Sequence, residues 1–324
     1  MEIFKSHTKV YDILEKGKIF FFLSIVAFFV AIVLVFTKGL AFGIDFAGGT
    51  VVQVKYDTTP PVDIIRQKLV QDPLFEKASV TPFGNEGEVV IKTPTLEQKV
   101  DRDMTDIVKE VLNGTGNFEI RKVDMVGPKV GDELRTKGLS AFMLALGVIL
   151  LSITFRYEFR FAFAGVVALL HDIVITIGAI SLFDIDVNIE TIAAILTILG
   201  YSIHDTIIVF DRVREYINES KETDFKKIIN EAVSRTLSRT LLTSLTVFFV
   251  VLTLYLFGGE IMHSFSFPML VGVTVGTYSS VFVAAQLVIW TGFDVNKYRA
   301  KQTEKLKREK EKEKMRSMYE QGTL

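Results

Sequence analysis

The sequence predicts an α-helical membrane protein of six spans, with one small α+β domain inserted between the first two. Three observations carry this. Of 324 residues, 49% are hydrophobic and 23% are charged, yet the charges sit in a few blocks. Between the blocks lie runs of about 18 to 24 almost uncharged residues, each long enough to cross a hydrocarbon core of roughly 30 Å as a helix. One polar stretch, residues 38–137, is long enough to fold as a domain of its own.

Residues 1–18 form a basic N-terminus with Lys5, Lys9, Lys16 and Lys18. The first apolar run, Ile19 to Phe36, is too long for the core of a signal peptide, and Thr37-Lys38-Gly39 offers no small-x-small cleavage site. An uncleaved first span over 19–37 is expected. Within 38–137, Thr50 to Tyr56 suits a strand, and Pro61 to Gln71 a helix opened by proline. Ala78 to Pro82 and Glu88 to Thr93 read as a hairpin around Phe83–Gly87. Thr95 to Leu112 puts Leu96, Val100, Met104, Ile107, Val108 and Val111 on one helical face and stops at Asn113-Gly114. Phe118 to Val126 returns as a strand. The order β-α-β-β-α-β is the ferredoxin-like pattern, which unrelated domains share.

Five further spans are expected at about 138–155, 161–183, 188–209, 240–258 and 265–290, making 138–290 one bundle. Short connections set the orientation. The turn at 156–160 carries Arg156 and Arg160, the 211–239 connection seven basic residues and the tail after 291 ten, whereas the turns at 184–187 and 259–264 carry none. Both termini are therefore expected in the cytoplasm and 38–137 outside, since long translocated domains are exempt from the charge rule. The tail, 291–324, alternates Lys and Glu from Arg299 to Arg316, which suits a solvated helix with i,i+4 ion pairs or a docking element.

Several function classes are excluded at this stage. A net charge of −1 leaves no basic surplus for nucleic acid. With no cysteine there is no disulfide, thiolate catalysis or zinc–thiolate centre. No Gly-x-x-x-x-Gly-Lys-Ser/Thr loop is present to bind nucleotide, and no metal site is expected.

The informative segment is Ile198-Leu-Gly-Tyr-Ser-Ile-His-Asp-Thr-Ile-Ile-Val-Phe-Asp-Arg-Val-Arg-Glu215, which puts His204 and Asp205 inside the fourth span. An ionisable group at that depth costs about 2.5 kcal/mol or more unless paired or hydrated, so it marks a static pair or an ion path. Tyr201, Asp205 and Arg212 share one helical face, with His204 and Asp211 on a neighbouring one. His171-Asp172, mid-way along span three, is either a second relay or a helix–helix clamp. Arg239, at the start of span five, either reaches the depth of Asp205 or anchors the helix at the membrane surface. Gly272, Gly276, Ser280 and Ala284 give span six a smooth face for a neighbour inside the bundle or in another subunit.

Five blocks together carry a specific resemblance. Gly43-Ile-Asp-Phe-Ala-Gly-Gly-Thr50 resembles the first signature of the SecD/SecF family, and Val126-Gly-Pro-Lys-Val-Gly-Asp-Glu-Leu134 its next block. Gly200-Tyr-Ser-Ile-x-Asp-Thr with Val209-Phe-Asp-Arg212 is similar to the fourth-helix signature of the SecF rather than the SecD branch. Arg239-Thr-Leu-Leu-Thr-Ser-Leu-Thr246 and Gly276-Thr-Tyr-Ser-Ser280 complete the set, spanning 43–280 in order. The resemblance implies half of an RND-type transporter in the bacterial inner membrane, with domain 38–137 periplasmic. Its implied partners are SecD, the SecYEG channel, YajC and exported preproteins. The implied work is export driven by the proton motive force, without enzymatic activity or a cofactor beyond H+, Na+ being the other candidate ion. The family's essential aspartate falls on Asp205 and its helix-five arginine on Arg239. Where the family has Asn, this chain has His204, which could modulate Asp205 or pass protons to it; tolerance of any hydrogen-bonding side chain is the plainer reading.

The cycle expected is that protonation of Asp205 breaks a pair with Arg239 and repacks the interface with SecD. Domain 38–137 then moves on tethers built from Gly43, Asp45, Gly48 and Gly49 and from Gly127, Pro128 and Gly131. Half of a heteromeric small-molecule or lipid efflux pump is the main alternative. A pure scaffold would tolerate Asp205→Asn. An intramembrane aspartyl protease using Asp172 and Asp205 would need carboxylates a few Å apart, which nothing in the spacing provides.

Overall fold

A computed structural model describes residues 12–76, 78–83, 87–94 and 103–320. The tip of the expected hairpin and the first turns of the helix expected from Thr95 lie outside the described residues, as do Lys5 and Lys9. Six helices are long and apolar enough to cross a membrane. They are α1 (Gly17–Lys38), α5 (Pro128–Arg156), α6 (Phe159–Leu182), α7 (Ile189–Glu219), α8 (Phe225–Phe257) and a last one in three parts. Those parts are α9 (Glu260–Ser279), a π turn (Ser280–Ala284) and α10 (Ala285–Trp290).

Between α1 and α5 come α2 (Ile44–Ala47), β1 (Gly49–Tyr56), α3 (Val62–Gln71), β2 (Ser79–Phe83), β3 (Glu88–Pro94), α4 (Met104–Val111) and β4 (Phe118–Val126). The sheet order is β2-β3-β1-β4 with every neighbour antiparallel, the ferredoxin-like arrangement. Strand alternation builds its core. Val52, Val54 and Tyr56 of β1 point to one face and meet Ile65 and Leu69 of α3 and Ile107 and Val108 of α4. Each fully buried aliphatic side chain there contributes about 1.5–3 kcal/mol. Asp103 caps α4 by accepting from the Thr105 amide, which holds its carboxyl below the ordinary range.

Three helices run further than hydropathy suggests. α5 begins at Pro128, ten residues before the expected span, because the charged stretch Lys129–Lys137 is helical and packs against α2. α7 continues to Glu219 and α8 starts at Phe225, so α7 is about 46 Å long, more than the membrane core requires. The tail forms α11 (Val295–Glu320), with exposed pairs such as Arg308–Glu304 (2.7 Å).

The bundle centre is α6, α7 and α9; α1, α5 and α8 lie around it. Small residues permit the contacts. A Cβ on Gly272 would sit 2.4 Å from Ile198, and one on Gly276 3.1 Å from Ser202. The smooth face of span six therefore packs on α7 within this chain. The π turn begins at Ser280, so the four-residue repeat does not continue as one regular stripe. At Gly178 a Cβ would come within 2.6 Å of the Ala31 backbone, where α6 meets α1. Gly178→Val should cost about 1–3 kcal/mol by overpacking, read as a lower midpoint of thermal unfolding in detergent. Gly147→Ala, with open space around it, should leave the midpoint unchanged or raised.

Candidate functional site

The apolar positions of α7 turn its residues 198, 202, 205, 209 and 213 into the bundle, and this places two polar groups among them. Asp205 is 1% exposed. The Ser244 hydroxyl of α8 lies beside it, and its Oδ2 is buried with no partner among the described residues. Ser244 is itself shared: it donates to the Thr240 carbonyl (2.8 Å) and accepts from Tyr201 (3.0 Å) and from Thr277 of α9 (2.7 Å). The Asp205 carboxyl therefore sits in a hydroxyl-lined pocket and has no ion-pair partner among the described residues.

The expected pair with Arg239 does not form. Arg239 lies on the exposed surface of α8 and makes no ion pair among the described residues. His204 is likewise exposed. One residue is a 100° rotation on a helix, so neighbours in sequence face different surroundings, and His204 does not reach the Asp205 carboxyl. Both basic side chains are exposed, His204 on α7 and Arg239 on α8.

Asp172 of α6 is fully buried and fully satisfied. Its Oδ2 accepts from Ser202 of α7 (2.5 Å) and Ser279 of α9 (2.7 Å), and Oδ1 lies 2.9 Å from Nδ1 of His171. This pair clamps three helices, the second of the two readings that the sequence left open. Asp211 and Arg212 are remote from Asp205. Asp211 accepts from Tyr157 (2.7 Å) and Arg156 (3.0 Å) at the α5–α6 turn, and Arg212 pairs with Glu215 (2.5 Å).

Gly43 and Gly131 of the glycine-rich tethers are packed joints, whereas Gly127 has open space around it. A Cβ on Gly43 would overlap the Asn188 side chain, and one on Gly131 would lie 3.2 Å from the Phe46 carbonyl. Gly48 needs its positive φ of 73° to leave α2 for β1. Gly127 and Pro128 open α5, with Gly127 at the cap position. Asp45 accepts from the Ile189 amide (3.1 Å), seating the domain on the start of α7. Lys92 of β3 pairs with Asp186 (2.5 Å) across a cavity of about 630 Å3 between the sheet and the bundle. Sequence reasoning missed Ser202, Ser244, Thr277, Ser279 and Lys92. Hydroxyls are so common in spans that their spacing gave no signal, and Lys92 finds its acid only through the tertiary fold.

Residues 107–294 match the model of the SecD/SecF protein export membrane protein C-terminal region, and residues 33–60 the SecD/SecF GG motif. The chain belongs to the SecD/SecF family. Within the family it is 46% identical over 324 residues, all of both chains, to protein translocase subunit SecF of Helicobacter pylori. Its identity to the Escherichia coli O157:H7 protein of that name is 36% over 287 residues, 88% of each. It superposes on the crystal structure of SecDF, a translocon-associated membrane protein from Thermus thermophilus, with a TM-score of 0.79 and 32% identity. That match covers 89% of this chain and 40% of the SecDF chain, so this chain spans less than half of it.

The Tyr157–Asp211 contact makes a pH prediction. Burial first, and then donation to the Asp211 carboxylate, push the Tyr157 phenol from 10.0 to about 12. A folded value above the unfolded one means that this contribution to stability is complete below pH 10 and is lost as pH rises through about 12. Absorbance titration of wild type minus Tyr157→Phe should show one tyrosine ionising late, and Asp211→Asn should bring it back toward 10.

Proposed function

We propose that this chain is the SecF half of a two-part, ion-coupled membrane unit that promotes export of preproteins. The observation that carries the reading is Asp205, a buried carboxyl with one unpartnered oxygen and no ion pair among the described residues. A charge in that position costs several kcal/mol, so binding or losing a proton there changes the stability of the helix arrangement by a comparable amount. That suffices to bias a two-state element.

The exposed faces support a partner of similar build. α1 and α5 expose mainly large apolar side chains at mid-span, among them Phe22, Phe29, Met143 and Leu151, as suits lipid. The outer face of α7 and α8 instead carries Thr197, Gly200, His204, Arg239, Thr243 and Thr246. Arginine and histidine at a lipid-facing position are costly, whereas a second helical half covers and pairs them. SecD is that half in our reading, which accords with the likeness of this chain to part of the SecDF structure. SecYEG, YajC and unfolded preproteins are the further partners. None of the relatives named above points to efflux.

In the proposed placement the chain lies in the bacterial inner membrane with both termini cytoplasmic and the ferredoxin-like domain in the periplasm. Protonation of Asp205 repacks α7 against α8 and the partner. Motion reaches the domain through α1, α5 and the joints at Asp45 and Lys92. The work is conformational, with H+ as the ion and no chemical step.

The test follows processing of an exported precursor in cells depleted of their own copy and supplied with this chain or its Asp205→Asn form at matched membrane levels. Processing should slow by about tenfold or more, a change of ~1.4 kcal/mol in the rate-limiting barrier. Normal processing by the Asn form would reject the reading. Replacing Na+ by K+ in the same assay should change nothing if H+ is the ion.

A further inference from the structure

His171 uses only half of its hydrogen-bonding capacity. Its ring is buried, 5% exposed, with Nδ1 2.9 Å from Asp172 Oδ1, while Nε2 is enclosed and has no partner. An ionised carboxylate only accepts, so Nδ1 carries the proton between them and Nε2 is left with a bare lone pair. Ser202 and Ser279 occupy the other carboxylate oxygen, which stops Asp172 from turning. A histidine held this way is oriented to take a proton at Nε2, and the carboxylate behind it stabilises the imidazolium that forms. A histidine serving only as a spacer would have both nitrogens satisfied.

We propose that His171 Nε2 is a second proton-binding site of this protein, with Asp172 as its orienting and charge-balancing residue. The step is simple: hydronium gives up a proton, an Nε2–H bond forms, water remains, and the pair passes from net −1 to net zero. The role of this site in a transport cycle rests on the export reading above; proton binding itself does not.

The surroundings give the site a route to the rest of the molecule. The charged or titratable groups around it are Asp172 on its own helix and Asp205 on α7, three residues beyond Ser202. α1 brings Phe28, its lysines lying near its ends at Lys18 and Lys38. On α5 the charges stop at Lys137 and resume at Arg156. The described titratable side chains of α9 are His263, near its start, and Tyr278, whose hydroxyl donates to the Phe20 carbonyl of α1 (2.6 Å). The Phe28 ring lies parallel to the imidazole, within 5° and 6.4 Å between centroids. α1, which runs on toward the domain, therefore packs beside the site. On the other side, α9 touches both acids. Ser279 binds Asp172, and two residues earlier Thr277 binds Ser244, the neighbour of Asp205.

The experiment is a histidine-15N NMR titration of the full-length chain with its partner subunit in lipid nanodiscs, between about pH 5 and 8. The four histidines are assigned with His171→Gln and, independently, by removing His7, His204 and His263 one at a time. The wild-type His171 signal should pass from the neutral Nδ1–H tautomer to the imidazolium on acidification. In Asp172→Asn, proton binding should weaken by about tenfold. A His171 signal that keeps one protonation state throughout overturns the site, and unchanged affinity in Asp172→Asn overturns the role of the carboxylate. If His171 titrates while Asp205→Asn exports normally, the site stands and the export reading falls. If His171 stays neutral while Asp205→Asn stalls export, only the second site falls.

Discussion

The Asp172 carboxylate, buried completely between α6, α7 and α9, accepts from a serine on each of the other two helices. Removing a carboxylate from water costs far more than any one hydrogen bond returns, so its position is tolerable only while all its donors are in place. The helices must therefore approach closely enough for the short side chain of serine to reach. Gly276 beside Ser202 and Gly272 against Ile198 allow that approach. The bundle's geometry follows from this requirement, and the outer helices α1, α5 and α8 are arranged around a centre that it has already set.

Asp205 stands one helical turn from Ser202 under the opposite condition. It is as deeply buried, yet its neighbours are hydroxyls already engaged with one another. One acid is thus fully satisfied within the bundle, and the other keeps an oxygen without a partner among the described residues. The satisfied group fixes the packing, and under the proposed function the unsatisfied one is where a proton acts.

The spans, the ferredoxin-like strand order and the depth of Asp205 were legible because each depends on periodicity or run length. Val52, Val54 and Tyr56 alternate as a half-buried strand must, and apolar runs mark membrane crossings whatever their neighbours. The Arg239 pair was not legible, since helical spacing tells which side a residue occupies and not what stands opposite. His204 shows the same limit, being adjacent to Asp205 in the chain and turned away from it. The early start of α5 at Pro128 was hidden by charges that are helical outside the membrane. The serines that hold Asp172 look like any other small residue in a span until the neighbouring helices are placed.

Both ends of α7 are gripped by side chains of the sign its dipole favours. At the start, the Asp45 carboxylate accepts from the Ile189 amide. At the finish, Arg299 donates to the Ile217, Ser220 and Glu222 carbonyls. The first grip belongs to the segment that leads into the sheet domain and the second to the helical tail. A rod about 46 Å long that carries Asp205 in its middle is therefore fastened to structures on both sides of the membrane. Any rotation or slide of this rod is delivered at once to the sheet domain at one end and to the helical tail at the other, which makes α7 an axle joining the two.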